Sequence, residues 1–112
     1  MILNYNEMEE KVLEHFVGGE KELYAKMFVD NHNKILKGRL KPGATIGLHT
    51  HDTSSEIIYI LEGCGKVLYD GSYERVEAGV CHYCPKGHAH SLINDSDAEL
   101  VFFAVVPLTD RG

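Results

Sequence analysis

The stretch GATIGLHTHDTSSEIIYILEG, residues 43–63, decides the fold. Thr45 to His51 reads as a strand, and alternation of side chains across a strand puts His49 and His51 on the same face. Glu56 stands at an odd offset from His51 and would face the other way on one unbroken strand. The polar run Asp52-Thr53-Ser54-Ser55 is turn chemistry. It starts a new antiparallel strand, Glu56 to Leu61, on which Glu56 can face the same interior as the two histidines. Two imidazoles and a carboxylate are thereby aimed at one place.

A second stretch, GVCHYCPKGHAHSLIN at residues 79–94, supplies His90. Val80 to Cys84 is a strand and Pro85-Lys86-Gly87 a turn, with Pro and Gly at the positions such turns favour. His90 to Ile93 is the strand that follows. Working outward, Lys66 to Tyr69 and Tyr73 to Glu77 flank Asp70-Gly71, a hairpin signal for a type I′ turn. Glu22 to Val29 and Lys34 to Leu40 are joined by the turn residues Asp30 to Asn33. Leu100 to Val106 is the last strand. Residues 1–20 allow two readings. Asn6 and Glu9 could cap a helix carrying Met8, Val12 and Phe16; alternatively, Lys11 to Val17 is a strand with Val12, Glu14 and Phe16 on one side. Many short strands without a convincing long helix predict an all-β chain, an antiparallel sandwich or barrel.

A His-x-His pair alone is more often a surface or hydrogen-bonded pair than a metal site, so the surrounding pattern decides. Gly43-x5-His49-x-His51-x4-Glu56-x6-Gly63 and Gly79-x5-Pro85-x-Gly87-x2-His90-x3-Asn94 resemble the two signature motifs of the cupin superfamily at all ten positions. The fifteen residues between the motifs match the short spacing common in small microbial cupins. The resemblance implies a jelly-roll-like double-stranded β-helix. It also implies His49, His51, Glu56 and His90 as ligands of one divalent transition metal. Three nitrogens and one oxygen suit Zn, Fe, Mn, Ni, Co or Cu, whereas Mg and Ca prefer oxygen. Val80 stands where many members carry Asp after the motif glycine, a departure in a surface turn.

The 112 residues are expected to form one domain, with a core barrel over about 22–107 and an N-terminal arm over 1–20. Net charge is −6, without a basic cluster, so nucleic acid is not an expected partner. No apolar run reaches the roughly 20 residues that span a bilayer. The acidic, polar start Met1 to Glu7 is unlike a signal peptide, and three cysteines cannot all pair within the chain. Together these features lead us to expect a reducing cytoplasm.

Cys81 and Cys84 lie three apart on one strand and face opposite sides, which argues against a redox pair. Cys64, between two glycines, reads as a loop thiol. His88 is either a turn histidine in solvent or a group at the mouth of the site, where it would be the one weak catalytic candidate. His82 either lines the cavity or sits on the surface; His15 and His32 are read as surface residues. Tyr59 should face away from the metal, while Ile58 and Ile60 share the Glu56 face and should line the cavity. Apolar runs at 57–61 and 101–106 on both faces predict a homodimer. The expected activity is either a metal-dependent enzyme acting on a small organic molecule, such as a dioxygenase, isomerase or lyase, or a non-catalytic module that binds one. No acid or base is positioned beside the expected site, so the sequence leaves both open.

Overall fold

The computed structural model describes residues 1–108. Its strands are β1 (Lys11–Glu14), β2 (Glu22–Val29), β3 (Asn33–Leu40), β4 (His49–Thr50), β5 (Glu56–Glu62), β6 (Cys64–Tyr69), β7 (Ser72–Glu77), β8 (Cys81–Cys84), β9 (Ala89–Ile93) and β10 (Leu100–Pro107). They form two antiparallel sheets, β1-β2-β3-β10-β5-β8 and β4-β9-β6-β7, packed face to face. This is the predicted all-β cupin barrel. No helix among the described residues is long and apolar enough to cross a membrane.

Strict alternation makes the core. On β10, Leu100, Phe102, Ala104 and Val106 point inward and are buried. On β5 the same face carries Glu56, Ile58 and Ile60. Val67 of β6 and Leu92 of β9 close the core from the second sheet. Burying each of the larger apolar side chains among these contributes about 1.5–3 kcal/mol. Because β10 is paired on both edges, with β3 and with β5, a one-residue slip would turn its whole apolar set outward. Register is therefore fixed in the strands that frame the site.

Asp70 and Gly71 both have positive φ, as a type I′ hairpin requires. Asn94 is fully buried; its side chain accepts from the Ser96 amide at 3.0 Å and donates to the carbonyls of Leu40 and Ala98 at 2.8 Å.

Three expectations are corrected. Thr45 to His51 is not one continuous strand: Thr45 bridges Ile93, and regular pairing resumes only at His49. Between them the backbone turns to meet the N-terminal region, with the Gly47 amide donating to the Phe16 carbonyl. Cys64 is not in a loop but opens β6, paired with Glu77 and half-buried, because Gly63 makes the turn by itself at φ 84°. In the N-terminal region the strand reading holds over Lys11–Glu14, but Leu13 is the residue packed toward the core and Val12 faces solvent. Phe16–Gly18 then forms a 3-10 turn.

Candidate metal centre

β4 and β9 are paired so that His49 stands directly across from His90. The turn at residues 52–55 delivers Glu56 as the first residue of β5, and the chain brings His51 in from the same side as His49. The four side chains converge. His49 Nε2 lies 3.1 Å from His51 Nε2, and His51 Nε2 lies 2.9 Å from His90 Nε2. Glu56 Oε1 is 3.0 Å from His51 Nε2, 2.9 Å from His90 Nε2 and 3.8 Å from His49 Nε2. Each histidine thus offers the same nitrogen.

The outward nitrogens are also held. His49 Nδ1 is 2.7 Å from the Gly47 carbonyl, His51 Nδ1 is 2.8 Å from Ser54 Oγ, and His90 Nδ1 is 3.0 Å from His82 Nε2. A carbonyl oxygen only accepts, so His49 carries its proton on Nδ1 and leaves the Nε2 lone pair free. Such partners are what orient a histidine toward a metal.

Buried charge needs compensation. Burial favours the protonated form of Glu56, but hydrogen bonding to His49, His51 and His90 outweighs it and holds the carboxyl well below its ordinary range. His49 is shifted upward, first by Glu56, against desolvation, and with help from the Gly47 carbonyl; Lys34 opposes this through its charge. Desolvation and the neighbouring His90 push His82 down to about 4.

The donor set fits a transition-metal ion. With ligand bonds of about 2.1 Å, adjacent donors of an octahedron stand about 3.0 Å apart and those of a tetrahedron about 3.4 Å. The contacts of 2.9–3.1 Å, with 3.8 Å between His49 and Glu56, are short enough that one ion could be held by all four donors. Four protein donors on such an ion leave room for further oxygens.

A cavity of about 210 Å³ opens beside His49, His51 and Glu56. Its walls are mostly apolar, formed by Phe16, Met27, Leu36, Phe102 and Val106, with Lys34 as the single cation among the described lining residues. Ile58 and Ile60, expected here, are instead sealed in the core and do not line the cavity. Beyond Glu56 the Glu56 face of β5 runs into the packed interior, while the cavity opens toward β2, β3 and β10. Lys34 was missed by sequence reading, although its spacing from Leu36 and Leu40 on β3 places it on the inward face.

Of the residues whose placement the sequence left open, His82 is buried against His90. His88 lies outside the cavity lining, its Nδ1 2.5 Å from Asp70 Oδ2 and its ring stacked on Tyr69. Cys81 is exposed and Cys84 buried, on opposite faces of β8. Tyr59 points to the outer face.

Known proteins carry the same architecture. The cupin domain family matches residues 37–106. The oxalate-binding protein of Thermotoga maritima is 30% identical over 114 residues, covering 96% of this chain and 94% of that protein. The crystal structure of a predicted oxalate decarboxylase from Thermotoga maritima superposes with a TM-score of 0.90 at 27% identity, covering 96% of this chain and 99% of that one. A polyketide cyclase from Streptomyces resistomycificus shares the fold alone, with a TM-score of 0.80 at 19% identity over 96% of this chain and 78% of its own. The motifs, the barrel and the family match agree: this chain belongs to the cupin domain family.

Proposed function

We propose that His49, His51, Glu56 and His90 hold one divalent transition-metal ion, and that the cavity beside it binds a small organic anion, a short carboxylate of oxalate's class. The observation that carries this reading is that three of the four clustered donors, His49, His51 and Glu56, share one largely apolar cavity with Lys34. When bound, the ion would supply Lewis acidity and a site for carboxylate oxygens. Lys34 offers a second positive charge, and the apolar walls exclude water and strengthen both attractions. The relative named for oxalate binding supports the same substrate class.

Binding is favoured over turnover because, among the described lining residues, Lys34 is the one titratable side chain outside the cluster, and its charge serves to hold the anion: Ser54 is engaged by His51, and Glu56 belongs to the cluster itself. The enzyme reading, a lyase of the decarboxylase kind or another of the metal-dependent small-molecule activities, has its support in the solved relative's description. Calorimetry with oxalate on manganese-loaded protein tests the proposal. Binding is expected only with metal present, and Lys34→Met should weaken it about 10- to 100-fold, the loss of one charge-assisted contact. Equal binding by metal-free protein would overturn it, and conversion of oxalate to formate and carbon dioxide would favour the lyase.

The proposal extends to assembly and setting. Ile57, Tyr59, Leu61 and Tyr83 are 38–56% exposed on the outer face of the larger sheet, and a second copy of the chain packed there would cover them. A homodimer is therefore expected in light scattering at micromolar concentration, and a monomer would contradict it. Unpaired Cys64, Cys81 and Cys84 suit a reducing cytoplasm.

A further inference from the structure

We infer that His82 is a positioning residue of the metal centre, which fixes His90 in the tautomer that presents Nε2 to the ion; the inference rests on the metal reading above. The three candidate histidine ligands are held from behind in three different ways. His49 is held by a carbonyl, His51 by a hydroxyl, and His90 by another imidazole. Ser54 can rotate its hydroxyl to suit, and the Gly47 carbonyl belongs to the backbone. His82 alone is a separate, replaceable side chain whose acceptor nitrogen determines where the His90 proton sits.

The geometry supports this role. The β5–β8 register sets His82 across from Ile58, inward and beside the cluster. The ring is 5% exposed, and its centroid lies 5.2 Å from that of His90 at an interplanar angle of 31°. Tyr69 packs edge-on against it at 5.4 Å, so the ring is confined on that side too. Its other nitrogen, Nδ1, faces Glu74 Oε1 at 3.7 Å, beyond direct hydrogen-bond length, so the ring's one close polar partner is His90. His82 Nε2 then accepts from His90 Nδ1–H, and the His90 Nε2 lone pair is left facing His51 and Glu56. Without that acceptor the His90 Nδ1–H would be buried and unsatisfied, and the proton would gain by moving to Nε2, where Glu56 accepts it and the ion is displaced. Partners of this kind are ordinarily worth 10- to 100-fold in metal affinity.

Cys84 completes a rival arrangement. His82, Cys84 and His90 are all buried with donor atoms within 4.8 Å of one another, so His82 could in principle ligate a second ion instead. A second ion there would require His90, whose Nε2 already belongs to the first cluster, to lose both ring protons and bridge two ions; the 3.0 Å contact between His82 Nε2 and His90 Nδ1 is met more simply by a hydrogen bond.

The test compares wild type with His82→Leu and His82→Gln by chelator competition for Zn(II) and Mn(II), with thermal unfolding of the metal-free forms as the folding control. Wild type should bind one ion per chain. His82→Leu should bind 10- to 100-fold more weakly, and His82→Gln, whose amide oxygen can accept from His90, should recover most of the loss. Independently of any variant, nitrogen NMR of the zinc-loaded wild type should show coupling across the hydrogen bond between His90 Nδ1–H and His82 Nε2. Affinity in His82→Leu within twofold of wild type, equal losses in the Leu and Gln variants, or absence of that coupling would overturn the inference alone. Two ions per chain with the second lost in both variants would make His82 a ligand and overturn it as well. A wild type that binds neither metal would overturn the metal reading and this inference with it.

Discussion

His49 and His90 face each other across one strand pair, yet the chain holds them by different means. β9, which carries His90, is paired with β4 on one edge and β6 on the other, and His90 is 1% exposed. The segment 45–51, which carries His49 and His51, has little regular pairing. Besides its bonds to β9 and to residues 87 and 88, it is held by the N-terminal region. The Gly47 amide donates to the Phe16 carbonyl and the Thr45 amide to the Glu20 carbonyl, each at 3.0 Å, and the Glu20 amide donates to Thr45 Oγ1 at 2.8 Å. The approach is so close that a Cβ at Gly47 would lie 1.9 Å from the Val17 carbonyl oxygen, and one at Gly19 2.1 Å from that of Thr45. Glu56 and His90 thus rest on regular sheet, whereas the segment that leads into His49 also leans on backbone contacts with residues that lie outside the family-matched 37–106.

The N-terminal support is also conformationally costly. His15, Val17 and Lys21 have φ of 49°, 46° and 56°, and non-glycine residues held there cost about 1–3 kcal/mol each. The surrounding contacts must offset that cost.

The largest effect should come from breaking the N-terminal support. Gly47→Ala places a methyl group against backbone that cannot rotate away, and about 1–3 kcal/mol of stability should be lost. Because the Gly47 carbonyl orients His49, metal affinity should fall together with stability. Urea unfolding and metal titration of the same variant measure both, and a variant as stable as wild type would show the segment to be free of its support. A smaller effect is expected where the two regions meet: Ser91 Oγ donates to the Ile46 carbonyl at 2.5 Å, and Ser91→Ala should cost about 1 kcal/mol in the same unfolding experiment.

The smallest effect is a pH dependence in β1's attachment to the sheet. Arg39 bonds Glu10 through Nε and Nη2, and this holds the Glu10 carboxyl below its ordinary range. The folded value being depressed, the stability contributed is present above the unfolded value of about 4.3 and is lost as pH falls through the folded one. Glu10→Gln should therefore narrow the stability difference between neutral pH and pH 3 slightly, measured by thermal unfolding; an unchanged difference would show that the pair contributes nothing.

This contrast also explains what the sequence could reveal. The barrel was legible because alternation, turn residues and motif spacing all point the same way in β5, β6, β9 and β10. The shared facing of His49, His51 and Glu56 was legible from strand alternation and the turn at residues 52–55, whereas His90 joined them through the resemblance of the second motif. What escaped depends on long-range packing. The irregular path of residues 45–48 is imposed by residues 16–20, which no local pattern announces. Ile58 and Ile60 share the Glu56 face as expected, but which part of that face meets a cavity and which meets packed core depends on the opposing sheet. His82 alternates inward with Cys84, a pattern equally consistent with a cavity wall, a surface strand or a partner for His90. Lys34 continues the inward face of β3, and only the neighbourhood of His49 makes its charge consequential.

The central claim is that His49, His51, Glu56 and His90 act as one metal centre. Elemental analysis after equilibration with Mn(II) and removal of free ion, run in parallel on wild type and His51→Ala, tests it most directly. The account predicts one ion per chain in wild type and none retained in the variant, which should remain folded. An ion retained equally by His51→Ala, or no ion retained by wild type with manganese or any of the other candidate metals, would contradict it.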